Sequence, residues 1–226
     1  MKPYIISHMM MSVDGRIDCP MVAQISGEEY YTALESFGSS SKLSGRVTAA
    51  LECAAVKEET PFCSDIVLGK ESVHKEVESE EYSIVVDTHG RLQMVSGEAD
   101  GHPLLVVMSE NITEAHLKML RKNHVSWIAT GKEHIDLHRA MEILNEQFAV
   151  NRLVIVGGGN INGGFLEAGL VDEVSVMMAP GIDGRKGETA VFDGCTWKGG
   201  APYRLKLQSV EQVPATEVIW TRYLCK

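Results

Sequence analysis

An apolar run that ends in three consecutive glycines, Leu153-Val154-Ile155-Val156-Gly157-Gly158-Gly159, constrains this chain more than any other stretch. An unbroken run of branched aliphatic residues is the pattern of a strand buried on both faces. The glycines that follow at once leave the backbone amides bare. Asn160 is placed to cap a helix whose apolar face includes Phe165 and Leu166, and Gly169 is a natural stop for that helix. Asp172–Ala179 then reads as a second buried strand. Strand, glycine loop, helix and strand together present free N–H groups and a helix N-terminus, a combination suited to a phosphate. The other reading is that the glycines only let the helix pack closely on the sheet. The residues alone leave both open. The loop is neither a G-x-G-x-x-G fingerprint nor a P-loop, since its glycines are contiguous and no Lys-Ser/Thr pair follows.

The rest of the chain bounds what can surround this unit. It has 226 residues, 44% of them hydrophobic, at a mean hydropathy of −0.05, which suits one domain over residues 1–226. No apolar run is long enough to cross a bilayer. The start, MKPYIISHMMMSVDG, is broken by Ser7 and His8 and closed by Asp14, so it reads as a first strand rather than a signal peptide. A formal net charge of −10 argues against a nucleic-acid partner, because phosphate backbones are met by clustered Lys and Arg. The five cysteines (19, 53, 63, 195 and 225) are scattered and include no CxxC pair, so a reducing cytoplasm is expected. Asn111-Ile112-Thr113 matches a glycosylation sequon but reads as a helix cap.

In chain order, Lys2–Met10 is strand-like and MSVDGRID (11–18) is a turn. Ser26-Gly27-Glu28-Glu29 has the form of a capping box and opens a helix to about Phe37. Lys42–Gly45 is a short strand. Arg46-Val47-Thr48 leads into a helix with Leu51 and Val56 on one side, ended by Pro61. Lys70–Glu81 is charged and reads as a surface connection. Strands are expected at Tyr82–Val86, Leu104–Met108 and Val125–Thr130, and helices at Thr113–Asn123 and Asp136–Phe148. This alternation predicts an α/β fold with a mainly parallel sheet and helices on both faces. Tyr203–Val210 and Val218–Leu224, turning near Pro214, add antiparallel strands at the C-terminus.

Several residues carry potential chemistry. Asp14-Gly15-Arg16 is an active-site loop or an ordinary turn. Thr48 can hold a phosphate or cap its helix. Glu52 lies one turn later on the same side, where a carboxylate can orient a sugar hydroxyl or assist proton transfer. His134 and His138 are four apart but straddle the cap Asp136, so no metal site is expected. A zinc-deaminase signature and a G-x-S-x-G elbow are both missing.

Taken with MMMSVDGRID, ISGEE, LSGRVTAALE and VVDTHGRL, the stretch LVIVGGGNINGGFLEAGLVDEVSVMMAP resembles the reductase domain of the riboflavin-pathway deaminase–reductases and their stand-alone relatives. The resemblance covers nearly the whole chain. It implies a dihydrofolate-reductase-like, three-layer α/β/α fold, NADPH as cofactor, and usually a homodimer. The family's best-known reaction reduces the ribosyl group of a ribosylamino pyrimidine phosphate to ribityl, with hydride passing from the nicotinamide C4 to C1 of the opened sugar. Carried over residue by residue, Gly157, Gly158, Gly159, Asn160 and Ile161, with Val156 before them, hold the pyrophosphate. Met11 falls beside the nicotinamide, Thr48 and Thr88 face the cofactor, and Thr130 and Gly131 border the adenosine. Glu52 falls near the sugar and nicotinamide and, with Asp14, is the catalytic candidate. Arg91, His89 and Lys132 are candidates for a 2′-phosphate.

Departures fall on the substrate side. Riboflavin enzymes typically carry Glu where Val156 stands and Arg where Phe37 and Gly38 stand. Only Lys57 lies near a second arginine position. The resulting expectation is an NADPH-dependent reductase of a small pyrimidine-like or pterin-like heterocycle, with the riboflavin intermediate first. A catalytically silent nucleotide-binding sensor and a dihydrofolate or pterin reductase are the alternatives.

Overall fold

Apolar runs become strands and capped stretches become helices, largely in the expected order. The structure, a computed structural model, describes residues 1–17, 19–53, 55–58, 67–196 and 201–225. Asp18, Pro61 and Cys63 lie outside the described residues. In chain order the elements are β1 (Tyr4–Met11), α1 (Cys19–Val22), α2 (Glu29–Glu35), β2 (Ser41–Gly45), α3 (Arg46–Glu52), β3 (Val56–Glu58), β4 (Ser72–His74), β5 (Ser83–Val86), β6 (Leu92–Met94), β7 (Glu98–Ala99) and β8 (His102–Met108). They continue with α4 (Glu114–Lys122), β9 (Ser126–Ala129), α5 (Leu137–Phe148), β10 (Arg152–Ile155), α6 (Gly159–Glu167), β11 (Glu173–Met178), β12 (Leu205–Gln212) and β13 (Ile219–Cys225). No helix of the described residues is long and apolar enough to cross a membrane.

The chain divides into two compact units, one of residues 1–3 and 39–153, the other of residues 4–38 and 154–226. In the first, β2, β5, β8 and β9 lie side by side and parallel, with β4 antiparallel on β9. Parallel pairing needs crossovers, and α4, between β8 and β9, is one of them. Leu104 to Met108 are all at most 1% exposed, which is why the run reads as continuously apolar. Thr113 caps α4 by accepting from the His116 amide, and Asp136 caps α5 by accepting from the Arg139 amide. Both caps are the ones read from the sequence. A core of Val85, Leu92, Met94, Val106, Met108, Leu120 and Trp127 fills the space beneath.

In the second unit β1 and β11 are parallel, Met11 lying opposite Met178. β13 is antiparallel to β11, and β12 to β13, as the C-terminal pattern predicted. His8 on β1 is fully buried, stacked on Tyr30 and hydrogen-bonded to the Ser175 hydroxyl, which also accepts from the Trp220 indole.

Four local expectations change. The Ser26 hydroxyl donates to the Val22 carbonyl, and α2 begins at Glu29 with Glu28 as its cap. Neither reciprocal bond of the capping box forms; the Glu29 carboxylate accepts from the Gly27 amide instead. α3 stops at Glu52, so Val56 belongs to β3, and Leu51 is 78% exposed. The Lys70–Glu81 connection contains β4, a three-residue strand too short to show a period. It is held by the Trp127 indole donating to the Ser72 hydroxyl and by His74 stacked on Trp127. Finally, Asn160 lies inside α6 and Gly158 is its cap.

Candidate functional site

In each unit most of the residues singled out by sequence lie after the carboxyl end of a strand, the end at which α/β sheets bind ligands. In the second unit this end carries the glycine turn. The Gly157–Gly158 peptide is cis, and Gly157 has φ +123°, a backbone conformation that side chains rarely permit. The cap residue Gly158 has no side chain to cover the start of α6. The Ile161 and Asn162 amides turn back to the Gly158 carbonyl at 2.9 and 3.1 Å. That leaves the Gly159 and Asn160 amides without an intrahelical acceptor at the positive end of the helix. The geometry suits the oxygens of a pyrophosphate.

The packing role of the glycines is also present, and it falls on particular residues. A Cβ at Gly159 would collide with the Ala190 carbonyl oxygen, and one at Gly163 with the Asp193 carbonyl oxygen. The Asp193 amide donates to the Gly159 carbonyl at 3.0 Å, and the Asn162 carboxamide donates to the Val191 carbonyl at 2.7 Å. Gly157 and Gly158 thus shape the turn, and Gly159 and Gly163 admit the 189–193 segment.

Met11 ends β1, its carbonyl accepting from the Ala179 amide at 2.8 Å. Asp14 follows in the turn. Its Oδ1 accepts from the Ser12 hydroxyl at 2.7 Å and the Asp183 amide at 3.0 Å, and its Oδ2 from the Gly184 amide at 2.9 Å. These donors, the Ser12 hydroxyl foremost, hold the carboxyl below the usual carboxylate range. Val156 is half-buried against an apolar cluster of Ile6, Leu34, Phe37 and Val154. Two of the departures noted in the sequence, at Val156 and Phe37, therefore share one cluster.

In the first unit, Thr48 is half-buried in α3, just after β2, and Glu52 is exposed at the end of that helix. Thr88 follows β5, and Thr130 and Gly131 follow β9. Thr130 is buried, its hydroxyl donating to the Asp136 carbonyl at 3.1 Å. Gly131 has φ +75°, and a Cβ there would collide with the His134 carbonyl oxygen. Two residues after β8 escaped the sequence reading. The Ser109 hydroxyl and amide both donate to the Thr88 carbonyl, at 2.8 and 3.1 Å. The Glu110 carboxylate accepts from the Gly131 amide at 3.1 Å, while its own amide donates to the Gly131 carbonyl at 2.7 Å. They tie the loops after β5, β8 and β9 together. The signal was their place at a parallel strand's carboxyl end, masked by the helix cap three residues later. His89, Arg91 and Lys132 are exposed beside these loops. Among the described residues no group of three or more His, Cys, Asp or Glu is arranged to hold a metal ion.

This parallel-stranded α/β fold is shared with known proteins. The chain belongs to the RibD C-terminal domain family, whose pattern matches residues 3–219. It is 28% identical over 201 residues, 86% of this chain and 85% of the relative, to the 2,5-diamino-6-ribosylamino-4(3H)-pyrimidinone 5′-phosphate reductase of Methanothermobacter thermautotrophicus. Among solved structures it resembles a pyrimidine reductase-like protein of Corynebacterium diphtheriae, with a TM-score of 0.71 at 15% identity over 99% of this chain and 92% of that one. The riboflavin biosynthesis reductase Rib7 of Saccharomyces cerevisiae gives 0.61 at 16% identity over 100% of this chain and 90% of that one. Acinetobacter baumannii RibD gives 0.68 at 19% identity over the whole of this chain, which spans 58% of that protein. The fold is the dihydrofolate-reductase-like fold of these reductase domains.

Proposed function

We propose that the protein is an NADPH-dependent reductase of a small pyrimidine-type heterocycle, with a ribosylamino pyrimidine phosphate as the first candidate substrate. Family membership over residues 3–219 supports the reaction class. The single structural observation that carries the cofactor reading is the uncapped glycine start of α6. When bound, the nicotinamide supplies the hydride that converts the opened ribosyl C1 to its ribityl form. The chain's own work is to bind and align. The Gly159 and Asn160 amides neutralise pyrophosphate charge, which matters in a chain of net charge −10. Met11 borders the nicotinamide. Thr48, Thr88, Thr130 and Gly131 are the candidates for the nucleotide in the first unit. Glu52 is the candidate for orienting the sugar. A cytoplasmic homodimer remains part of this reading.

NADPH at 100 times Kd stabilises a single-site protein by about 2.7 kcal/mol. A thermal shift with NADPH and its loss in Gly158→Asp support the reading. No shift with either NADPH or NADH overturns it. Gly158→Asp that stays folded and binds NADPH unchanged assigns the glycines to packing alone. Turnover is followed as loss of NADPH absorbance with the ribosylamino pyrimidine phosphate.

A second reading, a nucleotide-binding protein without turnover, is favoured by one observation. Val156 and Phe37, at positions where riboflavin enzymes carry Glu and Arg, are packed into the same apolar cluster. NADPH consumption with that substrate excludes it. Activity with dihydrofolate alone moves the substrate to the pterin class.

A further inference from the structure

The MSVDGRID turn and the glycine turn are far apart in sequence, yet one stretch of chain, residues 180–193, is bonded to both. At its first end the Val13 amide donates to the Gly181 carbonyl at 2.8 Å. The Asp14 carboxylate accepts from the Asp183 and Gly184 amides. Arg16 Nη1 donates to the Glu188 carbonyl at 2.5 Å, and the Ile17 amide to the Thr189 carbonyl at 3.2 Å. At its other end the segment closes on itself, the Ala190 amide donating to the Asp193 carboxylate at 2.9 Å. It then meets α6 through the Asp193 amide, the Asn162 carboxamide and the two glycines with no room for a Cβ. Asn162 is fully buried, so its bond to Val191 is made away from water.

Among the described residues of the turn, Asp14 is the one side chain whose two oxygens both accept bonds in this network. Each of its three bonds is donated by a neutral group of the chain. A carboxylate so saturated is a poor proton acceptor, because protonation would forfeit charge-assisted bonds. Its bonds instead set where the 180–193 segment lies, and the segment abuts the first turn of α6.

We propose that Asp14 is a positioning residue that holds the start of α6, and with it the glycine turn, through the 180–193 segment. The mechanical part of this proposal stands on the second unit alone. Its consequence for the cofactor rests on the reductase reading above.

The first test is hydrogen exchange by mass spectrometry on the full chain, comparing wild type with Asp14→Asn. Asparagine keeps the size and the Oδ1 acceptor but turns an NH2 toward the Gly184 amide. Faster exchange is expected both in residues 181–193 and in the first turn of α6, residues 159–163. Acceleration confined to residues 12–16 and 181–184 overturns the proposal. This readout needs no cofactor.

The second test reads function. Asp14→Asn is expected to weaken NADPH binding about five- to tenfold, with the pH profile of turnover parallel to wild type. An unchanged Kd with turnover reduced about 100-fold or more, and one limb of the profile lost, makes Asp14 a proton-transfer group and overturns the proposal. Combining Asp14→Asn with Asn162→Ala, which removes the side-chain bond of the far anchor, closes a double-mutant cycle. Strong non-additivity in the NADPH Kd is expected, the double variant resembling the worse single one. Fold-changes that simply multiply overturn the coupling. If wild type binds no NADPH, the reductase reading fails, while the exchange result still decides the mechanical claim.

Discussion

Two turns in this chain share a plan and live in opposite surroundings. Val13-Asp14-Gly15-Arg16 follows β1, and Asp87-Thr88-His89-Gly90-Arg91 follows β5. Each carries an aspartate, then a glycine in the left-handed region, Gly15 at φ +83° and Gly90 at φ +61°. Asp14 is exposed and both its oxygens accept bonds. Asp87 is 1% exposed, with Oδ2 accepting from the Leu92 amide at 2.8 Å and Oδ1 without a hydrogen-bond partner among the described residues. Beside it His116 is buried in α4, and the Gly90 backbone lies against the His116 ring. Similar local sequence thus serves a surface clamp in one unit and a buried brace in the other. The difference comes from what packs behind the turn, which neither motif encodes.

The glycines offer the largest contrast. A Cβ at Gly90 would sit 3.1 Å from both the His116 ring and the Ile112 side chain, whereas one at Gly15 meets nothing within 4 Å. Gly90→Ala combines left-handed strain with overpacking and is expected to cost about 2–3 kcal/mol in urea unfolding. Gly15→Ala carries the strain alone, about 1 kcal/mol. Equal losses would break the comparison.

The aspartates come next. Asp87→Ala strands the Leu92 amide in the interior, and a loss of about 1–3 kcal/mol is expected. Asp14→Ala exposes its donors to water and should cost less stability than Asp87→Ala, while its effect on residues 181–193 is the larger. Urea unfolding and hydrogen exchange on the same two variants separate stability from positioning.

The smallest effect is in pH. Burial lowers the His116 pKa from its ordinary 6.5, an effect that outweighs the raising influence of Asp87. Burial also pushes His8 down to about 4 from 6.5. For a lowered histidine the unfolded chain binds more protons in that window, so stability is complete above 6.5 and falls as the pH drops below it. The lowered Asp14 acts elsewhere. Its contribution is complete above the ordinary 3.8 and is lost progressively as the pH falls from there toward its depressed folded value. His116→Phe should therefore flatten part of the stability slope below pH 6.5, and Asp14→Asn should leave the slope above 3.8 unchanged. A slope that disappears in Asp14→Asn would sink the assignment.

Much of the architecture was legible because its signals are local. The runs at Ile84–Val86, Leu104–Met108 and Leu153–Ile155 are strands buried on both faces, which read as short, unbroken apolar runs. Thr113 and Asp136 cap because their short oxygens reach an amide of the first turn. Gly169 stops α6 at φ +67° as a left-handed residue must. The start of the same helix misled for the opposite reason. Asn160 has a capping side chain, but the helix begins a residue earlier. There the 189–193 segment presses on Gly159 and its Asp193 amide bonds the Gly159 carbonyl. The partner lies more than one helix and strand downstream, outside any local window.

The sequence by itself determined the parallel α/β order, the antiparallel C-terminal pair and the turn after the first strand. These depend on periodicity, capping and backbone sterics, which act over a few residues. Only the tertiary structure decided that Asp14 clamps a distant segment, that Asp87 is buried beside a histidine, and that Ser109 and Glu110 bind the loops after β5 and β9. A carboxylate has the same letter in water and in a core. What it does is set by the amides and rings that packing brings to it.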